Sequence, residues 1–154
     1  MGMKVIFLDA DGVLNCDSTR TLIPGTRFIG LDADMIKRLK SIIKRTGASI
    51  VMSSTWRKHP ECMEYLKKEL GKKVSDKIIG YTPVLQWEPR WKEIDAWMAR
   101  HPEVSSFIVL DDLEFEGLEK YGERFVLTHW ISGLTDELTE KCIKLLGEVD
   151  AKDD

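Results

Sequence analysis

Lys4-Val5-Ile6-Phe7-Leu8-Asp9-Ala10-Asp11-Gly12-Val13-Leu14 is a β-branched and aromatic run that stops at two carboxylates, one residue apart, and a glycine. A continuous apolar run of this length reads as a strand buried on both faces, the pattern of a parallel sheet with helices on each side. The C-terminal end of such a strand is where these sheets bind ligands. If the extended geometry continues, Asp9 and Asp11 point to one face, and Gly12 lets the chain turn with unrestricted φ. Two carboxylates this close repel, and a divalent cation is the usual remedy. Alone, the segment equally fits a plain strand followed by an Asp-Gly turn.

The chain on either side gives the motif its context. Residues 15–31 carry Pro24, Gly25 and Gly30 among scattered apolar residues, which predicts a loop or small hairpin, too short for an inserted domain. Asp32 or Asp34 then caps a helix with Met35, Ile36, Leu39, Ile42 and Ile43 on one face and Gly47 as its left-handed stop. A second buried strand at 48–52 ends in Ser53-Ser54-Thr55-Trp56-Arg57. A helix follows from about Pro60 to the stop at Gly71, then a weaker strand at 77–81 and a helix over 91–100 closed by Pro102. Residues 107–110 form another both-faces-buried strand, again ending in two acids, Asp111 and Asp112. A short helix around 114–121, a strand at 125–127 and a helix over 135–146 complete the pattern. Strands alternating with helices predict an α/β, Rossmann-like, doubly wound parallel sheet in three layers with right-handed crossovers. One domain is expected over 1–149, followed by a disordered acidic tail at 150–154.

Composition narrows the class. The 154 residues, 43% of them apolar, suffice for one full core. A net charge of −3 supplies no overall basic field, so a nucleic-acid partner needs a local basic patch. Cys16, Cys62 and Cys142 are odd in number and lack metal-ligand spacing, which speaks against a disulfide framework or zinc site and for a reducing cytoplasm. No stretch is long and apolar enough to span a bilayer, and no secretory leader is recognisable, so no membrane association is expected. Nothing points to an obligate protein partner.

In a parallel sheet the C-terminal strand ends share one edge, which brings Asp9/Asp11, Ser53/Ser54 and Asp111/Asp112 together. Carboxylates from two strands and a hydroxyl from a third form an oxygen-only site suited to Mg²⁺ and to a phosphate beside it. Here the sequence resembles the haloacid dehalogenase-like (HAD) phosphohydrolase superfamily. It is most similar to the small HAD domain of Swiss-Army-knife RNA repair proteins, through Leu8-Asp9-Ala10-Asp11-Gly12-Val13-Leu14-Asn15, Ser53-Ser54-Thr55-Trp56-Arg57, Arg90 with Glu93-Ile94 and Trp97, Leu110-Asp111-Asp112, and Gly133-Leu134-Thr135. The resemblance implies a Mg²⁺-dependent phosphatase. Asp9 is then the nucleophile that forms an aspartyl-phosphate, and Asp11 the general acid and base, whose backbone carbonyl also ligates the metal. Ser53 or Ser54 hydrogen-bonds a phosphoryl oxygen: similarity around Trp56 favours Ser54, and counting from the strand end favours Ser53. Arg90 or Lys92 supplies the cation that steadies the phosphate. Asp111 completes the metal shell, and Asp112 ligates through water or orients its neighbours. Gly12 and Arg57 are candidate substrate contacts, although an ion pair explains Arg57 equally well.

Many relatives carry a cap domain in one of two gaps. Here both gaps are filled by the loop after Leu14 and by elements of the core sheet, so no large cap is expected. An open site suits phosphate on RNA or DNA ends better than a small metabolite. Two other readings stay open: a small-molecule phosphomonoesterase, and a non-enzymatic phospho-Asp signalling module. Trp56, Trp87, Trp91 and Trp130 invite base stacking, but the plainer expectation is that they, like Trp97, fill the core. His59, His101 and His129 have no mutual spacing of a metal site and receive no role.

Overall fold

A computed structural model of the chain describes residues 2–114 and 116–149, and in it Val5, Ile6, Phe7 and Leu8 are wholly buried in β1 (Met3–Leu8). The apolar run thus forms the doubly covered strand its composition requires. The order along the chain is β1, α1 (Ala33–Thr46), β2 (Ser49–Met52), α2 (Pro60–Leu70), α3 (Lys72–Ser75), β3 (Ile78–Tyr81), α4 (Arg90–Ala99), β4 (Val104–Asp111), β5 (Phe125–Leu127) and α5 (Asp136–Leu146). Short 3-10 helices at Thr55–Lys58 and Leu118–Arg124 precede α2 and β5.

All strand pairs are parallel, in the order β3-β2-β1-β4-β5. The chain winds outward from β1 to β3 and then returns to the other side of β1, so the order reverses between β1 and β4. Ligands of open α/β sheets bind in the crevice at such a reversal. The order also differs from the 2-1-3-4-5 of receiver-type sheets, which removes support for the signalling-module reading.

Alternation along β1 feeds two cores. Ile6 and Leu8 join Ile50, Met52 and Leu110 under α1, α2 and α5, while Val5 and Phe7 join Val51, Val109, Ile94 and Trp97 under α4. Phe7 packs edge-on against Trp97 and Phe107, at ring separations of 5.6 and 6.0 Å. The result is the expected three-layer α/β arrangement without a large cap.

Local signals explain most element ends. Asp32 caps α1 by accepting from Asp34 and Met35 N–H, which leaves Asp34 in the first turn, and Gly47 (φ 72°) closes the helix. Of the loop or small hairpin expected over residues 15–31, a small hairpin forms, in which Leu22 and Ile29 pair antiparallel through a single bridge. The helix expected at 114–121 is instead a 3-10 helix at Leu118–Arg124, because Gly117 (φ 73°) and Gly122 (φ 59°, ψ −130°) interrupt it. Residue 115 and the expected acidic tail at 150–154 lie outside the described residues. Among the described residues, no helix is long and apolar enough to cross a membrane, and the three cysteines are free thiols.

Candidate active site

The ladder continues one residue past the apolar runs. Asp9 N–H donates to Leu110 O at 3.0 Å, Ser53 N–H to Leu8 O at 3.0 Å, and Thr82 N–H to Met52 O at 3.0 Å. Thr82, Ser53, Asp9 and Asp111 therefore form one buried polar row across the end of the sheet. By alternation, Asp9, Ser53 and Asp111 fall on the face of Phe7, Val51 and Val109, the face that α4 covers.

That face receives its cation from the first residue of α4. Arg90 Nη1 lies 2.7 Å from Asp111 Oδ2 and 3.5 Å from Asp9 Oδ1. Lys92, the alternative, points away: it pairs with Glu88 at 2.9 Å and is half-exposed. Helical geometry separates the two, since residues two apart do not share a face.

The serines separate by the same logic. Ser54 Oγ accepts from Trp56 N–H at 3.0 Å and caps the 3-10 turn. Ser53 Oγ, fully buried in the acid row, has no hydrogen-bond partner among the described residues. A buried hydroxyl without a partner carries a desolvation cost of about 1–3 kcal/mol, which a bound acceptor relieves.

Asp112 completes a carboxylate cluster: oxygens of Asp9, Asp111 and Asp112 lie within 4.8 Å of one another. Room for it depends on Gly12, where a Cβ would meet Asp112 Oδ2 at 1.9 Å and where φ is +79°. Gly12 lines the cleft, where its N–H donates to Asn15 Oδ1 and its carbonyl accepts from Thr128 Oγ1.

Asp11 stands apart from the cluster, exposed at the cleft. Its carboxylate is fixed from two sides, by Asn15 Nδ2 at 2.9 Å and Trp56 Nε1 at 3.2 Å. Arg57 is not the open substrate contact that was one expectation. It donates to the carbonyls of Thr82, Ser53 and Ser54 and pairs with buried Glu93 at 3.0 Å, bracing the ends of β2 and β3.

The electrostatics follow from three carboxylates gathered beside the single guanidinium of Arg90. Burial first, then Asp111, pushes Asp9 well above the ordinary carboxylate range, with Asp112 adding and Arg90 opposing. Burial also raises Asp111 against the pull of Arg90. Arg90 itself is held more firmly protonated: burial opposes, but Asp111 and Asp9 prevail. Such a site gains from a hard divalent cation, and its donors are all oxygen. The residues present thus fit Mg²⁺.

A family model described as the HAD domain in Swiss Army Knife RNA repair proteins matches residues 5–139. The chain belongs to this family. No curated protein and no solved structure gives a significant match. The match runs from within β1 through the last strand and includes the acid row, and membership in this HAD family supports hydrolase chemistry of the phosphatase type.

Three residues of the HAD site carry no role in the sequence reading. Asn15 and Trp56 orient Asp11, and Thr128 Oγ1 ties Gly12 to the end of β5 while its N–H donates to Asp111 O at 3.0 Å. Thr128 follows the apolar strand 125–127, so the same strand-end reasoning could have found it. Asn15 and Trp56 stand inside the motifs that carry the resemblance, but their contacts with Asp11 depend on how two loops meet, which no spacing encodes.

Proposed function

We propose that this HAD domain is a Mg²⁺-dependent phosphatase that hydrolyses phosphomonoesters at nucleic-acid or nucleotide ends through an aspartyl-phosphate on Asp9. The observation that carries this reading is the buried row itself: Asp9 beside an orphaned Ser53 hydroxyl and the Arg90 guanidinium, with Asp11 held two residues further on at an open cleft.

The chemistry divides among these groups. An Asp9 oxygen attacks phosphorus as the P–O bond to the leaving group breaks, and Asp11 gives that oxygen its proton. Water then attacks the aspartyl-phosphate, Asp11 takes the proton, and the Asp9–phosphate bond breaks to release inorganic phosphate. Ser53 donates to a phosphoryl oxygen, and Arg90 steadies the charge spread over the others. Asp9, Asp111 and Asp112, with the Asp11 backbone carbonyl, would hold Mg²⁺. When bound, it neutralises the carboxylates and the phosphoryl oxygens.

Location follows composition here: with no membrane-spanning helix among the described residues and free thiols throughout, a cytoplasmic setting is part of the reading. The test is turnover of 3′- and 5′-phosphorylated oligonucleotides, nucleotides and sugar phosphates with Mg²⁺ and after chelation. Acid-quenched labelling with ³²P-substrate should leave label on wild-type protein and none on Asp9→Asn. Turnover by Asp9→Asn near the wild-type rate removes Asp9 as nucleophile, and hydrolysis of small phosphates alone removes the nucleic-acid assignment.

A further inference from the structure

Two clefts flank the acid row, and they differ in which catalytic group they expose. One, of about 560 Å³, is lined by Asp11; the other, of about 650 Å³, is lined by Arg90. If Asp11 protonates the leaving oxygen, the leaving group departs through the first cleft. This step rests on the function proposed above.

The first cleft has the chemistry of a nucleotide chain. The hairpin of residues 15–31 brings Phe28 to one side and the loop after β5 brings Trp130 to the other, 40% and 53% exposed. Trp130 is anchored, its carbonyl accepting Asp17 N–H at 2.8 Å and its ring stacked on His129 at 5.9 Å. An exposed aromatic face on a fixed backbone is a low-entropy platform for a base. Arg27, on the same hairpin, is exposed and has no ion pair or hydrogen bond among the described residues. In the second cleft Arg57 and Arg90 are already paired with Glu93 and Asp111, and both clefts carry carboxylates, Glu116 in the second and Asp17 and Asp112 beside Asp11 in the first. Lys58 and Trp87 give the second cleft an exposed cation and ring of its own, so the choice between the two rests on Asp11, which lines only the first.

We infer that the Asp11-side cleft is the binding site for a single-stranded nucleic-acid end, with Trp130 stacking the terminal base and Arg27 contacting the next phosphate. Arg27 then makes the domain prefer an oligonucleotide to a mononucleotide, which lacks that phosphate.

The test compares kcat/KM for a 5-mer RNA, the same DNA, a mononucleotide and p-nitrophenyl phosphate across wild type, Trp130→Ala and Arg27→Ala. The ratio for oligonucleotide over p-nitrophenyl phosphate should fall about tenfold in each variant, as loss of one stacked base or one phosphate contact predicts. The ratio of oligonucleotide to mononucleotide should fall in Arg27→Ala. A difference between the RNA and DNA arms identifies the sugar, and either strand supports the site. Equal loss on all substrates, or a phosphopeptide turned over as fast as the oligonucleotides, overturns the inference. A second readout separates it from the phosphatase reading: Asp9→Asn should bind the same oligonucleotides with quenching of tryptophan fluorescence, and should lose about tenfold in affinity when Trp130→Ala is added. Binding through Trp130 without turnover by wild type sinks the phosphatase and keeps the cleft; turnover insensitive to both substitutions does the reverse.

Discussion

Arg57 and Arg90 are two buried arginines near the same sheet end, facing one cleft, and they do different work. Arg57 is satisfied: carbonyl oxygens from two strand ends and one carboxylate, Glu93, take its donors. The carboxylate is also used twice, since Glu93 accepts Leu85 N–H at 2.9 Å. Arg90 faces an excess instead, with Asp9, Asp111 and Asp112 gathered where a single guanidinium cannot neutralise them. A closed charge account marks a brace, and an open one marks a place prepared for something else. The contrast can be broken by substitution, and the largest effect should come from the open side.

Asp9→Asn is expected to abolish turnover, a fall of about 10⁴-fold or more if Asp9 is the nucleophile. It should also stabilise the metal-free protein at neutral pH. The sign follows from the raised Asp9 pKa. The folded state binds the proton more tightly than the unfolded state, so stability is full below the unfolded value and falls as pH rises through the folded one. Above the unfolded value the folded carboxyl therefore opposes folding, and an amide of the same shape does not. Denaturant unfolding in chelator decides it: an Asp9→Asn midpoint below wild type would contradict the open charge account.

The two arginines give the sharpest pair. Arg57→Met leaves Glu93 and several carbonyls buried without their partner, and a loss of about 3–5 kcal/mol in unfolding free energy is expected. Arg90→Met should lose less stability than that, because Asp9 and Asp111 can keep protons, but about 10²–10³-fold in turnover. Equal stability losses with unequal activity losses, or the converse, would show that the two sites do not divide as brace and reaction site.

Metal should act on one side only. Mg²⁺ relieves repulsion among ionised carboxylates, so it should raise the melting temperature at a pH above the raised values of Asp9 and Asp111, and raise it less as pH falls and protons occupy them. Thermal unfolding with and without Mg²⁺ across pH measures this. A shift that does not weaken toward acid pH would place the metal elsewhere.

Much of this division was legible in sequence, and the remainder has physical causes. The strands at β1, β2 and β4 announce themselves where burial on both faces leaves an unbroken apolar run, whereas the first half of β4, with Ser105 and Ser106, is less covered and lies outside the expected strand. Asp9 and Asp111 follow, since a parallel ladder brings strand ends together. Ser53 and Ser54 could not be separated until the cap on Trp56 N–H claimed one hydroxyl and left the other alone. Arg57 and Arg90 look alike by residue type, because the partners that distinguish them come from Thr82, Glu93 and Asp111, distant in the chain. The tryptophans mislead for a similar reason. Trp56 and Trp97 are core as expected and Trp91 is partly covered, but Trp87 (93% exposed) and Trp130 sit in loops whose placement no periodicity encodes.

The smallest effect belongs to the residue that the commoner cation type favoured. Lys92 lies two positions after Arg90, but its ammonium pairs with Glu88 at the surface, and exposed pairs four residues apart contribute about 0.3–0.5 kcal/mol. Lys92→Ala should therefore change unfolding free energy by no more than about 0.5 kcal/mol and turnover by less than about twofold. The measurement matters beyond its size. Arg90 and Lys92 offer the same charge on the same turn of α4, and only the direction in which the helix presents each differs. A large loss of activity in Lys92→Ala would mean that α4 rotates when substrate binds and that the pairing of Arg90 with Asp111 is a resting arrangement. A null result, set against the Arg90→Met loss, fixes the first residue of α4 as the cation of the site.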